Sequence, residues 1–261
     1  MKKSKNIILN LISIICVAIL LWSALHLVVY LLNWQKTNSE IENINKYVET
    51  KTNTSDSQGS GLLDIDFESL RKINSDVKGW IKVNGTKINY PFVQTSDNSF
   101  YLDHSFDKSE NKNGWVFLDY RNNLNNPNQK NYILYAHNMK NQTMFGTLKN
   151  TIISDWLKNK DNFIIYIYTE DQCTLWRIFS VYNTKNLSEY LKTNFSSNKK
   201  YQSFLNSLKM KSVFNFNTDL DNTEKILTLS TCDGLDSRMV LHAKFISSNS
   251  INRQCPKDTF K

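Results

Sequence analysis

A single cysteine stands at the end of a predicted strand in residues 227–245, LTLSTCDGLDSRMVLHAKF. Cys232 is followed six residues later by Arg238, where the apolar alternation of a second strand resumes. A free thiol has a pKa of about 8.5, so only a small thiolate fraction is nucleophilic at neutral pH, and a neighbouring cation enlarges that fraction. A guanidinium also donates hydrogen bonds to a carbonyl oxygen that is gaining negative charge. Cys232 and Arg238 are therefore candidates for nucleophilic attack on a carbonyl.

Catalysis by a thiol also needs a group that accepts and donates a proton, and histidine is the usual one. Of the four histidines, His26 lies in an apolar N-terminal run and His104 in the polar stretch YLDHSFDKSE. His242 is four residues beyond Arg238, which is roughly 13 Å along an extended strand. His137 ends the predicted strand NYILYAH and is followed by polar residues. Position along the chain therefore favours His137.

Alternation along the first strand predicts which way the cysteine points. Thr228, Ser230 and Cys232 share one face, whereas Leu227 and Leu229 share the other. The leucine face is typical of a core, so the polar face is predicted to turn the thiol toward a cleft or solvent. Arg238 approaches Cys232 only if the two strands are neighbours, and a buried packing cysteine is the alternative.

The elements that must position these residues are mostly short strands. Seven or eight strands with helices inserted between them favour a mixed, mainly β barrel or sandwich over a doubly wound α/β sheet. Asn84 and Gly85 predict a hairpin turn between GWIKV and INYPFV. Helices are predicted for DFESLRKIN with Asp66 as N-cap, MFGTLKNTIISDWLKNK, LSEYLKTNF and NKKYQSFLNSLKMKS.

The amino terminus predicts a membrane anchor. Residues 7–32 contain no Asp, Glu, Lys or Arg, and about 20 apolar residues span a bilayer core. No small-residue cleavage motif follows, and Lys2, Lys3 and Lys5 precede the run, so the start is expected in the cytoplasm and the rest outside. This predicts a single-pass protein of the cell membrane, with a cytoplasmic segment 1–6, a transmembrane helix 7–32, an extracellular stalk and linker 33–61, and a catalytic domain 62–261.

Composition argues against other classes of function. The net charge of 32 − 24 = +8 favours anionic surroundings, but the basic residues are scattered, and no nucleic-acid partner is predicted. The four cysteines form no CxxC pair, so neither a metal nor a cofactor is predicted. Cys173 is predicted to be a small core residue and Cys255 to be free in a polar tail, although an exported domain also allows the two to pair.

Three segments together resemble the sortases, in particular their class B. TLSTC followed by Arg238 resembles the TLxTC…R signature, YAHNM resembles the YGHNM segment of class B, and GWI…INYPFVQTSDNSFYL resembles the class B opening. The similarity covers about residues 79–245, behind the predicted anchor. It implies a closed sortase β-barrel of seven to eight strands and a cysteine transpeptidase of Gram-positive bacteria that attaches exported proteins to the cell wall.

The resemblance also implies roles for individual residues. Cys232 would be the nucleophile, His137 the general acid and base, and Arg238 the ligand of the substrate and its oxyanion. The positions that match the sorting-signal groove of class B relatives are Asn98, Leu102, Tyr190, Leu191, Ser230 and Thr231. The implied partners are an NPxTx-like sorting-signal peptide, cut after its threonine, and the amine of a peptidoglycan cross-bridge or of its lipid-linked precursor.

Two positions depart from the class B pattern, and three alternatives stay open. Ala136 replaces the glycine before the histidine, and the loop DGLDS is short for class B. The alternatives are a pilin-polymerising sortase, a thiol hydrolase, and a non-catalytic wall-binding domain in which Cys232 is structural. The polar ending SSNSINRQCPKDTFK disfavours the pilin-polymerising class, whose members commonly carry a second membrane helix.

Overall fold

The computed structural model of the protein describes residues 2–51, 62–232, 237–250 and 255–256. The side chain of Cys232, the DGLD residues that follow it, most of the predicted linker and most of the C-terminal tail lie outside the described part. The chain divides into two compact units, Met1–Asn43 and Ile44–Lys261.

The first unit is a long helix, α1 (Lys2–Asn45), which contains the apolar run. Its part Asn6–Asn45 is long and apolar enough to be a candidate membrane span. The leucines, isoleucines and valines of the apolar run 7–32 are exposed. The helix continues without a break through residues 33–45, so the first part of the predicted stalk is helical.

The second unit begins with a small sheet. Strand β1 (Val48–Lys51) pairs antiparallel with β2 (Leu62–Ile65), so residues 48–51 of the predicted linker lie in a sheet. Helix α2 (Phe67–Ile73) follows, and the Asp66 side chain accepts a hydrogen bond from the Ser69 amide at 2.9 Å. The predicted N-cap is confirmed, because a carboxylate satisfies an amide that has no partner inside the helix.

The main sheet is a closed barrel. Among the described residues, its strands are β3 (Val77–Val83), β4 (Asn89–Val93), β5 (Phe117–Leu118), β6 (Asn131–His137), β7 (Ile164–Tyr168), β8 (Gln172–Thr184), β9 (Ile226–Cys232) and β10 (Arg238–Ser250). They are hydrogen-bonded in the order β10-β8-β7-β3-β4-β5-β6-β9. Only the pairs β4–β5 and β6–β9 are parallel among these strands. The predicted closed barrel of seven to eight strands is confirmed, with eight strands among the described residues.

Local turn chemistry explains the β3–β4 hairpin. The two strands pair antiparallel, and Gly85 in the connecting turn has φ +66. This left-handed backbone favours glycine, because a Cβ costs free energy there. The hairpin predicted from Asn84 and Gly85 is confirmed.

The helices agree less well with the sequence. The segment predicted as one helix over 144–160 contains a short 3₁₀ helix (Leu148–Ile152) and α3 (Ser154–Lys158), separated by Ile153 in extended conformation. The segment LSEYLKTNF contains only the 3₁₀ helix Leu187–Glu189. Helix α4 (Asn198–Lys211) is confirmed. Two further 3₁₀ helices span Phe100–Leu102 and Lys160–Phe163.

A cavity of about 160 Å³ lies inside the barrel. Its walls include Leu134 of β6, Leu227 of β9, Trp176 of β8 and Phe245 of β10. Leu227 and Leu229 are both buried, which confirms that this face of β9 belongs to the core. Neither His137 nor Arg238 is among the described residues that line this cavity.

The C-terminal tail is tied to the barrel by a disulfide between Cys173 and Cys255. The prediction that Cys255 is free is wrong. Strand β10 runs to Ser250 beside β8, where Asn249 is the register partner of Cys173. This pairing brings the tail to Cys173 across a sequence separation of 82 residues. A crosslink that closes such a long loop restricts the unfolded chain.

Candidate active site

The parallel pairing of β6 and β9 brings the predicted proton carrier and nucleophile together. The register runs from Asn131 opposite Ile226 to His137 opposite Cys232, where both strands end. Neighbouring strands lie about 4.8 Å apart. Two residues from distant parts of the sequence therefore occupy adjacent positions at one end of the barrel.

Strand β10 adds Arg238 to the same row. It pairs antiparallel with β9, and the last pair of this ladder is Val240 opposite Ser230. Beyond that pair, the Met239 amide donates to Thr231 Oγ1 at 2.9 Å. Extending the register by two residues places Arg238 opposite Cys232. The barrel therefore aligns His137, Cys232 and Arg238 on three neighbouring strands.

A backbone carbonyl fixes the His137 ring. His137 Nε2 lies 2.7 Å from the Leu102 carbonyl oxygen, at the end of the 3₁₀ helix Phe100–Leu102. Because a carbonyl only accepts hydrogen bonds, Nε2 must carry a proton and donate it. Nδ1 is therefore the nitrogen that remains for proton exchange.

Gly114 makes room for this contact. Its φ is +57, and a Cβ there would lie 2.5 Å from the Tyr101 carbonyl oxygen, 2.8 Å from the Leu102 oxygen and 3.0 Å from His137 Cδ2. Only glycine tolerates both the left-handed backbone and this approach. The sequence alone did not single out Gly114, although a lone glycine in NKNGW before a strand was the available signal.

Asn98 and Leu102, both predicted to bind substrate, lie in the same segment as the anchor of His137. Asn98 is half-buried, and its Nδ2 donates to Asp119 Oδ2 at 3.1 Å. Its Oδ1 accepts from the Tyr120 amide at 3.0 Å. Leu102 is half-buried and contributes its carbonyl to His137.

Three of the other four predicted substrate contacts are buried. Tyr190 and Ser230 are completely buried, and their hydroxyl oxygens lie 2.9 Å apart. Thr231 is buried and bonded to Met239, whereas Leu191 is partly buried and packs against the core beside α4. In this structure, Tyr190 covers Ser230 rather than leaving it open to a groove.

The face of β9 that carries position 232 is therefore more closed than its polarity suggests. Thr228 and Ser230 are both 0% exposed, so the polar face of β9 is buried at these two residues. The predicted direction of the Cys232 thiol concerns a side chain outside the described part. Thr228 Oγ1 donates to Asn131 Oδ1 at 2.8 Å and lies 2.9 Å from His242 Nδ1. Polar side chains here satisfy one another beneath other residues, so polarity did not indicate exposure.

His242 belongs to this buried network and not to the row formed by His137, Cys232 and Arg238. Its Nε2 lies 3.1 Å from the Tyr182 hydroxyl, and its ring is near that of Tyr190. Burial lowers the pKa of His242 to about 3, with a smaller contribution from the Lys211 charge. The imidazole is therefore neutral in the folded protein. His104 is also elsewhere, stacked on Phe100 with Nδ1 2.7 Å from Asp103.

The lowered pKa of His242 predicts a stability that depends on pH. The unfolded chain protonates this histidine below about pH 6.5 while the folded chain does not, so stability falls as pH decreases from about 6.5 toward 3. The slope from this one group is about 1.4 kcal/mol per pH unit. Urea unfolding of the full-length chain in detergent at pH 7.5 and 5.0 measures it. Between these two pH values, His242→Gln should lose about 2 kcal/mol less stability than the wild type, because the slope applies only to the roughly 1.5 pH units below 6.5. Equal losses in both proteins would contradict the prediction.

Comparison with known proteins agrees with this geometry. The family model described as Sortase domain matches residues 81–246. The chain is 38% identical to sortase B of Staphylococcus aureus over 184 residues, which are 69% of this chain and 74% of that protein. It is 33% identical to sortase B of Listeria monocytogenes over 218 residues, which are 81% and 86% of the two chains.

Solved structures give the same assignment. A Staphylococcus aureus sortase B–substrate complex is 38% identical with a TM-score of 0.64, over 69% of this chain and 84% of that one. A sortase B complexed with triglycine is 38% identical with a TM-score of 0.65, over 69% and 85% of the two chains. The chain therefore belongs to the sortase family and, within it, to the class B sortases, which are cysteine transpeptidases.

Proposed function

We propose that this sortase is anchored in the membrane and joins surface proteins to peptidoglycan. It cleaves an NPxTx-like C-terminal sorting signal after its threonine and transfers the new carboxyl end to an amine of a peptidoglycan cross-bridge or its lipid-linked precursor. The observation that carries the proposal is the register that sets His137 opposite Cys232. Continuing the β9–β10 register by two residues beyond Val240 brings Arg238 to the same level. Sequence and structure similarity to sortase B supports it.

In the first step, Cys232 forms the bond that holds the peptide. Its sulfur attacks the carbonyl carbon of the threonine, and the thiol proton passes to His137 Nδ1. Arg238 donates hydrogen bonds to the oxygen that becomes negative. When the C–N bond breaks, the leaving amine takes the proton from His137, and a thioacyl enzyme remains.

In the second step, an amine resolves the thioacyl enzyme. The amine nitrogen attacks the thioester carbonyl and loses a proton to His137 Nδ1, and the C–S bond breaks. The cysteine then regains its proton from His137, which returns the enzyme to its starting state. The similar sortase B complexed with triglycine supports a primary amine on a glycine peptide as acceptor.

The proposed peptide groove uses the six positions that match class B relatives. The Leu102 carbonyl contacts His137, and Asn98 lies in the same 98–102 segment. These two residues and Leu191 are half-buried, so they are more accessible than the other three positions. Tyr190 and Ser230 are buried against each other, and Leu191 and Thr231 lie beside them. For Ser230 to contact a peptide, the Tyr190 side chain must move aside.

The proposed location follows from α1. The apolar run 7–32 would cross the membrane, with residues 1–6 in the cytoplasm because Lys2, Lys3 and Lys5 precede the run. Residues 33–61 would connect it to a catalytic domain of residues 62–261 on the outer face of the cell membrane. Lipid around the helix would cover side chains that are otherwise exposed.

The test is a peptide screen with and without an acceptor. The full-length protein in detergent is incubated with a library of quenched peptides of the pattern xPxTx, with triglycine added to half of the reactions. We expect cleavage after threonine and a product joined to triglycine, identified by mass spectrometry. Release of free acid at the same rate in both halves would indicate a thiol hydrolase and overturn the transfer step.

Replacement of Gly114 tests the proposed positioning of His137. Gly114→Ala should lower kcat by about 10- to 100-fold, because the added methyl group displaces the Leu102 carbonyl and the His137 ring. Gly85→Ala is the matched control, since it has the same left-handed backbone but contacts Asn162 and Trp156. Both variants should lose stability, but only Gly114→Ala should lose kcat in steady-state peptide assays. Equal kcat values in the two variants would contradict this prediction.

A further inference from the structure

A buried carboxylate lies beside the proposed peptide groove. Asp119 follows β5 directly, and its side chain is 0% exposed. Arg121 donates to it from Nε at 2.8 Å, from Nη2 at 2.7 Å and from its backbone amide at 2.9 Å. Burial alone would raise the pKa of Asp119, but these hydrogen bonds and that of Tyr135 outweigh it and lower the pKa. The carboxylate therefore stays ionised and accepts only.

Asp119 dictates how the Asn98 amide is oriented. A carboxylate accepts, so the Asn98 Nδ2 group must face Asp119, and the Tyr120 amide donates, so Asn98 Oδ1 must face Tyr120. The amide cannot flip without losing both bonds. One N–H and one oxygen lone pair of Asn98 are then left over, which is the complement of a peptide group in an extended chain.

The same carboxylate is joined to the strand that carries the proton carrier. The Tyr135 hydroxyl donates to Asp119 Oδ2 at 2.8 Å. Tyr135 lies two residues before His137 on β6 and is the register partner of Ser230. Asp119 therefore links the segment that contains Asn98 to β6, whose His137 accepts the thiol proton in the proposed mechanism.

We infer that Asp119 is a positioning residue for substrate: through Asn98 it presents one N–H donor and one acceptor to the backbone of the sorting-signal peptide. This inference rests on the proposed function, because it assigns Asn98 to the groove of that same site. It concerns peptide binding, and the attack by Cys232 and the acceptor amine are untouched by it.

Asp119→Asn is the primary test. An amide offers one acceptor oxygen to donors from Arg121, Tyr135 and Asn98, and it turns an NH₂ group toward some of them. With the best xPxTx peptide and triglycine, the full-length variant should show a peptide KM raised about tenfold, the cost of a lost oriented hydrogen bond. Both kcat and the KM for triglycine should stay within about twofold. Asp155→Asn, which breaks an exposed pair with Lys158, is the matched control.

A double-mutant cycle separates positioning from general damage. Asn98→Ala should raise the peptide KM by a similar factor, and Asp119→Asn should add nothing to it, because both changes act through one amide. Additive effects, or a fall in kcat with an unchanged peptide KM, would overturn the inference. If Asp119→Asn does not fold, Asp119→Glu replaces it, since it keeps the charge near Arg121 but displaces the oxygens from Asn98. It should raise the peptide KM as well, and an unchanged KM would overturn the inference.

The variant Cys232→Ala separates a failure of this inference from a failure of the proposed function. Cys232→Ala should give no product with any xPxTx peptide. If it does form product, the proposed function fails. If Cys232→Ala is inactive while Asp119→Asn leaves the peptide KM at the wild-type value, only the role of Asp119 fails.

Discussion

Replacing Cys232 by alanine is expected to abolish both peptide cleavage and the thioacyl enzyme. The sulfur is the atom that attacks in the proposed mechanism, and a methyl group in its place can form no bond to the substrate. The loss should be at least about 10³-fold in kcat, as for removal of other catalytic nucleophiles. Cleavage of quenched peptides and mass spectrometry of the enzyme after incubation with peptide alone measure the two effects.

Cys16→Ala is the matched control for this substitution. Cys16 is exposed on α1, within the candidate membrane span, so its loss should leave cleavage and thioacyl formation unchanged. Alanine is smaller than cysteine and well tolerated, so the Cys232→Ala variant should also melt near the wild-type temperature. Retained cleavage in Cys232→Ala, with a normal melting temperature, would place the nucleophile elsewhere.

The parts of the fold that sequence could predict are those set by local patterns. The Asp66 cap, the Gly85 turn and helix α4 each depend on residues a few positions apart. The alternation around Leu227 and Leu229 likewise predicted a buried face, which the structure confirms. Local signals of this kind act before any tertiary contact forms.

Two features that the sequence did not predict have different causes, one local and one dependent on packing between distant parts of the chain. The segment predicted as one helix breaks at Ile153, where the run Thr151, Ile152 and Ile153 weakens helical propensity because all three are β-branched. The Cys173–Cys255 disulfide required the full length of β10 beside β8. Composition shows neither the register of β10 with β8 nor the position at which the predicted helix is interrupted.

In the candidate site, too, some residues are indicated by local sequence patterns and others only by contacts between distant parts of the chain. Residue types alone indicated Cys232, Arg238 and His137, but no local pattern shows that β6 and β9 pair in parallel with matched ends. The sequence did not indicate Gly114 or Asp119, because both act by supporting other residues. Gly114 leaves space for the Leu102 carbonyl, and Asp119 accepts a hydrogen bond from the Asn98 amide. Such supporting residues become visible only once distances are known.

Arg238→Lys is expected to lower kcat/KM by at least about 10²-fold with near-normal folding. The variant keeps the charge, so a merely electrostatic role would survive the change. It loses the planar fork that donates two parallel hydrogen bonds, and a single oxyanion-hole donor is worth about 10²–10³ in rate. Continued by two residues beyond Val240, the β9–β10 register places position 238 opposite position 232, where the proposed mechanism puts the substrate carbonyl.

The measurement compares three variants by peptide kinetics and thermal melting. Arg177→Lys on β8 is the matched control, because Arg177 is also half-buried but lies on another barrel strand, opposite Ile164. The kcat/KM of this control should stay within about twofold of the wild-type value. Arg238→Ala should lose at least as much as Arg238→Lys, since the fork is absent from both. If Arg238→Lys turned over like wild type while Arg238→Ala did not, charge alone would suffice. The planar fork of the guanidinium would then have no directional role at the oxyanion, and the positive charge at this position would be what stabilises that oxygen.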